Sequence, residues 1–334
     1  MTETVNAFVG TYSSGGLYPI IYMPAADRLE VRDPVASAAN ASYGARDPER
    51  NLHYLVDERD NGTLGVWRLL GNEWHCLLVV PSGGAGPCFV SLDPERRHVA
   101  IANYKSGTVA TYRLDDFGLP VGDAIRHENA GHGPNAERQD GPHAHCVRFH
   151  DGWLYQTDLG TDQILAFAAD GRRAVAFTAP AGQGPRHILF HPHHGVAYLL
   201  TELGSRIFTL VVEGDGCLRE RQSVSTLPAD APDGSLGGHL ALNRAGDRLY
   251  ATNRGHDSIA VFAVKEDGDL ELMQIAPAHG KSPRFLRLLE DQGRMLIAHQ
   301  EGNSLACIAM NGDGTVAGLC QSVAIEQPAY IGLT

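Results

Sequence analysis

The sequence lacks the features that define several common protein classes. Its 334 residues contain no block of Lys and Arg, and 39 acidic against 27 basic residues give a net charge of −12. Nucleic-acid binding draws its affinity from clustered cations, so no nucleic-acid partner is expected. No apolar run approaches the ~18 residues that a membrane span needs, and the stretch Met1-Thr2-Glu3-Thr4-Val5 lacks the basic and apolar regions of a signal peptide. We therefore predict a cytoplasmic protein with no membrane partner.

Cysteine is also scarce and shows no pattern. The six cysteines have no Cys-x-x-Cys spacing and occupy positions where small apolar residues would serve, so we interpret them as reduced core thiols. No Gly-x-Ser-x-Gly elbow, His-Glu-x-x-His motif or glycine-rich phosphate loop occurs, so serine-hydrolase, zincin and nucleotide chemistry have no support. No cofactor or metal is predicted, because His143 and His145 could both reach an ion but spacing specifies no third ligand.

Helical periodicity is absent as well, and the sequence instead shows a repeated strand pattern. A small or charged residue precedes an apolar strand pattern seven times, at intervals of 41 to 57 residues, which indicates a repeat fold. The aligned positions are Ser42, Cys88, His145, Arg186, Gly238, Arg284 and Ala329. In each unit a turn and a second alternating strand follow, as in residues 90–95 and 98–103, which is the pattern of a β-meander.

A third strand is predicted in each of six units, at residues 63–67, 108–112, 163–167, 206–210, 258–262 and 304–308. Short strands with 38 Gly and 18 Pro at regular spacing favour a β-propeller, which removes sheet edges by radial repetition. An N-terminal fragment (residues 7–12 and 17–22) and a C-terminal strand (residues 327–333) together make one more unit. We therefore predict an all-β, seven-bladed β-propeller, with one blade closed by the N- and C-terminal strands, as a single domain over residues 1–334.

Polar side chains are expected to meet at one mouth of this propeller, because the start of an innermost strand and the end of the second strand are antiparallel neighbours. Strand starts contribute Ser42, His143, His145, Arg186, His187, His239 and Arg284. Second-strand ends contribute Asp57, Glu58, Asn103, Asp158, Glu202, Asn253, Arg254, His299 and Gln300. Carboxylate, imidazole and guanidinium groups in one cleft suit acid–base work on an anionic substrate.

Structural explanations compete with functional ones for several of these residues. Asp57, Asn103 and Asn253 are interpreted as structural turn residues. For Arg186 and Arg254, an ion pair with Glu202 or Asp158 is the structural alternative. The histidines of the far turn are expected to be solvated: His191, His193 and His194. The long connection over residues 114–142 is predicted to form a lid or rim over the site.

Several segments resemble the seven-bladed propeller lactonase family, which includes propeller-type 6-phosphogluconolactonases and fungal carboxymuconate-lactonizing cyclases. They are Arg138-Gln139, Pro142-His143-Ala144-His145, Asp158-Leu159-Gly160-Thr161-Asp162, Gly184-Pro185-Arg186-His187, Thr201-Glu202-Leu203 and Asn253-Arg254-Gly255. The resemblance covers essentially the whole chain. It implies catalytic roles for Glu202, His145, Arg186 and Arg254. The Arg138-Gln139 and double-histidine stretch is typical of bacterial lactonase-like members, which favours hydrolysis over cyclisation.

The function predicted from these residues is hydrolysis of a sugar-acid lactone, either 6-phosphogluconolactone or an aldarate or aldonate lactone. Glu202 or His145 is expected to be the general base, and Arg186 and Arg254 to bind the anion and stabilise the oxyanion. Further contacts to the substrate are expected from His143, Asp158, Arg138, Gln139, His187, His239 and Gln300, with His143 and Asp158 orienting the base and the water. The alternatives are a carboxymuconate-type cyclase and a non-catalytic binding propeller. A monomer or homodimer is expected.

Overall fold

The computed structural model describes residues 4–13 and 15–334, and most of these lie in strands. The strands form seven four-stranded sheets, the arrangement of a seven-bladed β-propeller. Between the strands, short 3₁₀ turns occur at Pro24–Ala26, Gly214–Gly216 and Glu290–Gln292. None of the described helices is long and apolar enough to cross a membrane. The all-β, seven-bladed prediction is confirmed.

The strands follow chain order through the sheets. The first blade contains β1 (Val5–Thr11), β2 (Leu17–Met23) and β3 (Arg28–Val31). The next three contain β4 (Gly44–Asp47), β5 (Leu52–Asp57), β6 (Thr63–Leu70), β7 (Glu73–Pro81), β8 (Pro87–Leu92), β9 (His98–Asn103), β10 (Thr108–Leu114), β11 (Pro120–His127), β12 (Ala144–His150), β13 (Trp153–Asp158), β14 (Gln163–Ala168) and β15 (Arg173–Thr178). The last three contain β16 (Pro185–Phe190), β17 (Val196–Thr201), β18 (Arg206–Val212), β19 (Leu218–Ser225), β20 (Leu236–Leu242), β21 (Arg248–Arg254), β22 (Ser258–Val264), β23 (Leu270–Pro277), β24 (Pro283–Leu289), β25 (Arg294–His299), β26 (Ser304–Met310) and β27 (Val316–Ala324). The final strand, β28 (Pro328–Leu333), returns to the first blade.

The first blade is completed by both ends of the chain. Strand β28 pairs antiparallel with β1, so that Phe8 lies opposite Gly332 and Val9 opposite Ile331. The contact needs a glycine, because a Cβ at Gly332 would lie 2.2 Å from the ring of Phe8. The predicted closure of one blade by the N- and C-terminal strands is confirmed.

The third strands are also confirmed, because β6, β10, β14, β18, β22 and β26 begin at the predicted residues. Each blade has a further strand that the sequence pattern did not indicate. One of these, β11, lies inside the connection over residues 114–142 that was expected to be a loop; a short turn at residues 115–119 precedes it, and the longer irregular segment is residues 128–143. The outer strands escape detection because most of their side chains are exposed, as in β7, so they show little apolar periodicity.

The described residues group into two compact units. The first holds the chain before Asn40 together with Leu189–Leu210 and Glu220–Thr334, and the second holds Asn40–Ile188 and Val211–Arg219. In the first unit, apolar side chains of the sheets β20–β23 and β24–β27 form one buried cluster that includes Tyr250 and Ile297. The second unit buries apolar side chains along its own strands, Phe89 and Ile101 among them. The assignment of residues 1–334 to a single domain stays a prediction.

Several inner strands have a β-bulge near their first residues. The pairing register shifts between Pro87 and Phe89, between Ala144 and Cys146, between Gly237 and Leu240, and between Pro283 and Phe285. The residues left out of the ladder are Cys88, His145, Gly238, His239 and Arg284. A bulge locally bends the strand and redirects a side chain, so the repeat positions aligned from the sequence are largely bulge positions.

The cysteines only partly match their interpretation as core thiols. Cys88, Cys146 and Cys307 are buried, as expected. The expectation was wrong for the other three, which are exposed: Cys76, Cys217 and Cys320. These three lie on or beside outer strands, where alternate side chains face solvent.

Candidate active site

In the second unit, His145 and Arg186 form a buried pair. Nη1 of Arg186 donates a hydrogen bond to Nε2 of His145, and both side chains are almost completely buried. A guanidinium carries no acceptor, so Nε2 must accept and the proton of the neutral imidazole lies on Nδ1. The bulge in β12 directs His145, while β16 carries Arg186.

His143 stacks on a residue that the sequence analysis did not single out, Tyr104. The ring centroids are 4.5 Å apart and the planes 11° from parallel. Nδ1 of His143 donates to the Tyr104 carbonyl at 3.0 Å, and its Nε2 lies 3.1 Å from Oδ1 of Asp140. Tyr104 also meets the His145 ring at 5.4 Å and accepts a 3.3 Å hydrogen bond from Arg138 at its hydroxyl. The sole sequence signal for Tyr104 is its place directly after β9.

Asp158 and Gln139 hold the irregular segment 128–143 in place. The Asp158 carboxylate accepts hydrogen bonds from the amides of His143, Gly160 and Thr161 and from the side chain of Asn129, at 2.8–3.2 Å. Burial raises the pKa of Asp158, and these hydrogen bonds partly oppose the shift. Gln139 is fully buried and donates to the Leu159 carbonyl at 2.9 Å. These contacts position the chain, and contact of either residue with a substrate stays a prediction.

His187 lies in an aromatic environment of the same unit. Its ring is edge-on to Phe89 and to His145, with centroid distances of 5.5 Å in both cases. Tyr43 meets it at 6.3 Å. His187 is buried, so at least one function of its ring is to pack against these aromatic neighbours.

In the first unit, Glu202 and Arg254 form a buried ion pair. Nη2 of Arg254 lies 3.1 Å from Oε2 of Glu202, and the exposed fractions of the two side chains are 12% and 3%. The same Nη2 donates to the Gly237 carbonyl at 2.9 Å, and the Gly237 amide donates to the Glu202 carbonyl at 2.8 Å. The two residues are thus fixed together at the ends of β17 and β21, and the ion pair foreseen as the alternative for Arg254 does occur.

Two further predicted residues of the first unit lie beside aromatic rings. The guanidinium of Arg284 lies 4.9 Å from the ring centroid of Tyr12 and donates to its hydroxyl. Its Nη1 donates to Oε1 of Gln300 at 3.4 Å. The ring of His239 packs on Phe285 at 3.9 Å. Arginine, amide and phenol groups form one polar cluster here.

The three residues interpreted as structural turn residues contact a neighbouring side chain or backbone carbonyls of other segments, and their purely structural role stays a prediction. Asp57 binds Arg59 beside it, and Asn253 donates to the Thr226 carbonyl at 2.8 Å. Asn103 likewise donates to the Ser82 carbonyl at 3.0 Å.

The expectation that His191 is solvated was wrong. Its ring is buried, accepts from the amides of His193 and His194 at Nδ1, and donates from Nε2 to the Gly246 carbonyl at 2.9 Å. A turn whose amides have no strand partner needs such an acceptor.

Comparison with known proteins decides the family. A family model described as "Lactonase, 7-bladed beta-propeller" matches residues 6–332. The chain belongs to the seven-bladed propeller lactonase family. A relative named 6-phosphogluconolactonase, from Bacillus subtilis (strain 168), is 29% identical over 345 aligned positions, which cover 99% of this lactonase-family chain and 98% of the relative. Membership of this family and the name of this relative support the assignment of the chain as a lactone hydrolase.

Solved structures share the propeller lactonase fold. A protein from Lactobacillus plantarum has a TM-score of 0.91 at 29% identity, covering 99% of this chain and all of its own. The periplasmic gluconolactonase of Pseudomonas aeruginosa has a TM-score of 0.90 at 24% identity, with 99% of each chain covered, and at this identity it shows the fold alone. The cytoplasmic location, the oligomeric state and the absence of a nucleic-acid partner stay predictions.

Proposed function

We propose that this propeller lactonase hydrolyses the lactone of a sugar acid, with 6-phosphogluconolactone or an aldonate or aldarate lactone as substrate. The observation that carries the proposal is the buried Glu202–Arg254 pair at 3.1 Å. A carboxylate in such a site can accept a proton from water, and a fixed guanidinium beside it stabilises negative charge that develops in the reaction. The name of the Bacillus subtilis relative supports the substrate class.

Glu202 is assigned the role of general base. It takes a proton from water as the water oxygen bonds to the lactone carbonyl carbon and the carbonyl electrons move onto oxygen. Arg254 stabilises the resulting oxyanion. When the intermediate collapses, the bond from carbon to the ring oxygen breaks, and the proton held by Glu202 passes to that oxygen. The product is an open-chain hydroxy acid.

Arg186 is assigned to binding of the substrate's anionic group. Its guanidinium is oriented by the acceptor nitrogen of His145, and a guanidinium binds carboxylate or phosphate oxygens through two parallel N–H groups. Because Nε2 of His145 accepts from Arg186, His145 serves this proposal better as a positioning residue than as the base. Arg138, His143 and Tyr104 form the adjoining polar and aromatic cluster.

A panel of sugar lactones, followed with a pH indicator, tests this function. We expect proton release above the uncatalysed rate with at least one sugar-acid lactone. Glu202→Gln should remove most of this activity. Glu213→Gln, which alters an exposed carboxylate paired with Arg219, is the matched control and should retain it. Comparing phosphorylated with unphosphorylated lactones identifies the anionic group that is recognised.

Two outcomes would replace the proposal with its alternatives. Formation of a muconolactone from carboxymuconate, with no lactone hydrolysed, would favour the cyclase. Binding of lactones without turnover, unchanged in Glu202→Gln, would favour a binding propeller.

A further inference from the structure

A cluster of metal-ligating side chains in the first unit takes no part in the proposed hydrolysis. A carboxylate oxygen of Asp27 and the Sγ atoms of Cys307 and Cys320 all lie within 4.8 Å of one another. The cluster combines two thiols and a carboxylate from three separate elements, so it is more than a chance neighbourhood of acidic groups.

The fold brings the three residues together through a bulge and a side-chain clamp. The register between β26 and β27 shifts after Cys307, which leaves Cys320 as the extra residue beside it. The next residue, Gln321, accepts from the Leu29 amide at 2.6 Å and donates to the Leu29 carbonyl at 3.4 Å. These bonds hold β3, and therefore Asp27 in the turn just before it, against β27.

Asp27 keeps one acceptor position available for the cluster. Its Oδ1 accepts from the Tyr22 hydroxyl at 2.7 Å and from Nε of Arg294 at 2.9 Å, and its Oδ2 accepts from Nη2 of Arg294 at 2.8 Å. A carboxylate offers about four lone-pair positions, so one remains on Oδ2. The hydrogen bond from Arg294 holds the pKa of Asp27 well below its usual range, so the carboxylate is ionised.

The two thiols and this carboxylate are mutual neighbours, with each ligand atom within 4.8 Å of the other two. The Cys320 thiol interacts with Asp27 and with Cys307. Burial raises the pKa of Cys307 to about 12 and also raises that of Cys320. Without a metal, both sulfurs therefore carry their protons and are weak nucleophiles. The side chain of Cys320 is exposed, so an ion can reach the cluster from solvent.

We propose that Asp27, Cys307 and Cys320 bind a thiophilic divalent cation of the zinc class, with water as the fourth ligand. Each thiol releases its proton to solvent as its sulfur bonds the ion, so two thiolates balance the dication while Arg294 balances Asp27. Two sulfur donors select such ions over Mg²⁺ and Ca²⁺. Tetrahedral bonds of about 2.3 Å to sulfur place the sulfurs about 3.8 Å apart, so the ligands need to approach by no more than about 1 Å.

Cadmium is the probe for this site, because its bonds to thiolates absorb in the ultraviolet by charge transfer. Purified full-length protein, reduced and stripped of metal, is titrated with Cd²⁺. We expect the absorption to saturate at one ion per chain and binding to tighten as the pH rises, since the thiols must lose protons. Cys320→Ser should weaken binding at least tenfold and remove most of the absorption.

The matched control is Cys217→Ser, which alters an exposed cysteine outside the cluster and should bind as the unaltered protein does. Cd²⁺ should also raise the melting temperature of the unaltered protein and of the control, but not of Cys320→Ser. Lactone hydrolysis is assayed in parallel, and its presence or absence does not bear on the metal. The proposal is overturned by equal absorption in Cys320→Ser, or by the absence of Cd²⁺ uptake when both cysteines are reduced.

Discussion

His145, His239 and Arg284 each occupy a bulge at the start of an inner strand. A residue outside the ladder can point away from the alternating faces, so its side chain does not need to be apolar. This explains why chargeable residues recur at positions next to buried strands. At Cys88 the bulge holds a buried thiol instead, which donates to the His145 carbonyl at 3.4 Å.

Substitutions of Glu202 and of Arg186 should have different effects on the maximal rate and on substrate affinity. Glu202→Gln should lower the maximal rate with little change in substrate affinity, because it removes the proton acceptor. Arg186→Met should mainly weaken substrate binding. Loss of a charge-assisted contact in a partly buried site costs on the order of 2–4 kcal/mol, so either change should reduce kcat/KM by roughly thirty- to a thousand-fold. Steady-state kinetics on the active lactone provides the measurement.

Activity of the folded variants, measured beside their melting temperatures, decides whether the Glu202–Arg254 pair is catalytic or only structural. Removing one member takes away the ion-pair partner of a buried charge, so both Glu202→Gln and Arg254→Met should melt earlier. If the pair were only structural, both variants would nevertheless hydrolyse the lactone at the full rate when folded. That result would remove Glu202 from the mechanism.

His299 should make the fold sensitive to acid. Burial lowers its pKa to about 4, against about 6.5 in an unfolded chain. Between these values the unfolded state binds more protons, so the stability due to neutral His299 is present above about pH 6.5 and is lost as the pH falls toward 4.

The variant His299→Leu removes this titration. The fall in unfolding free energy between pH 7 and pH 5 should become smaller by about 2 kcal/mol, measured by urea denaturation. Loss of the 2.8 Å hydrogen bond to the Ala278 carbonyl lowers stability at both pH values, so only the difference is informative. An unchanged difference would show that another group controls the acid transition.

At the scale of elements, segment 128–143 depends on a close backbone approach at Gly160. A Cβ there would lie 1.7 Å from the Gly141 carbonyl oxygen. Gly160→Ala should therefore displace the residues leading to His143 and lower activity by about a hundredfold, since small misplacements of catalytic groups are costly. Gly195→Ala is the control, because a Cβ there meets nothing within 4 Å. Equal activity of the two variants would mean that the segment is not part of the site.

The pairing of β1 with β28 should be essential for cooperative folding. Deleting the last eight residues, from Gln327 onward, removes β28 and leaves the ladder edge of β1 without a partner. We expect no cooperative thermal transition in the truncated protein. The substitution Thr334→Ala, outside β28, should melt like the full chain. A truncated protein with an unchanged melting curve would contradict the importance of this closure.

Elements with one buried face could be predicted from the sequence, and elements without one could not. The inner and third strands pair apolar alternation with a turn, so their positions were found. Outer strands such as β11, which buries only one of its eight residues, show no periodic apolar signal. Tyr104 was missed for another reason: it stacks on His143, 39 positions away, and no local pattern encodes such a contact. An ion pair of an arginine with Glu202 was foreseen, but the sequence left open which arginine forms it, and the structure shows Arg254.

For the whole molecule, the net charge of −12 predicts that the protein does not bind polyanions. It should pass through a heparin column at about 0.1 M salt, where electrostatic attraction extends about 10 Å. Retention that requires higher salt for elution would reveal a cationic surface that the overall charge conceals.

The pairing of β1 with β28 also sets an order of events during protein synthesis. Strand β1 is made before the other strands, but its neighbour β28 appears only after the ribosome has added the residues between Thr11 and Pro328. At about 5–20 residues per second this takes on the order of 15–60 s. For that time β1 has no partner on one side, and an unpaired strand edge can pair with other nascent chains. The blade that is started first is therefore the last of the seven to be finished.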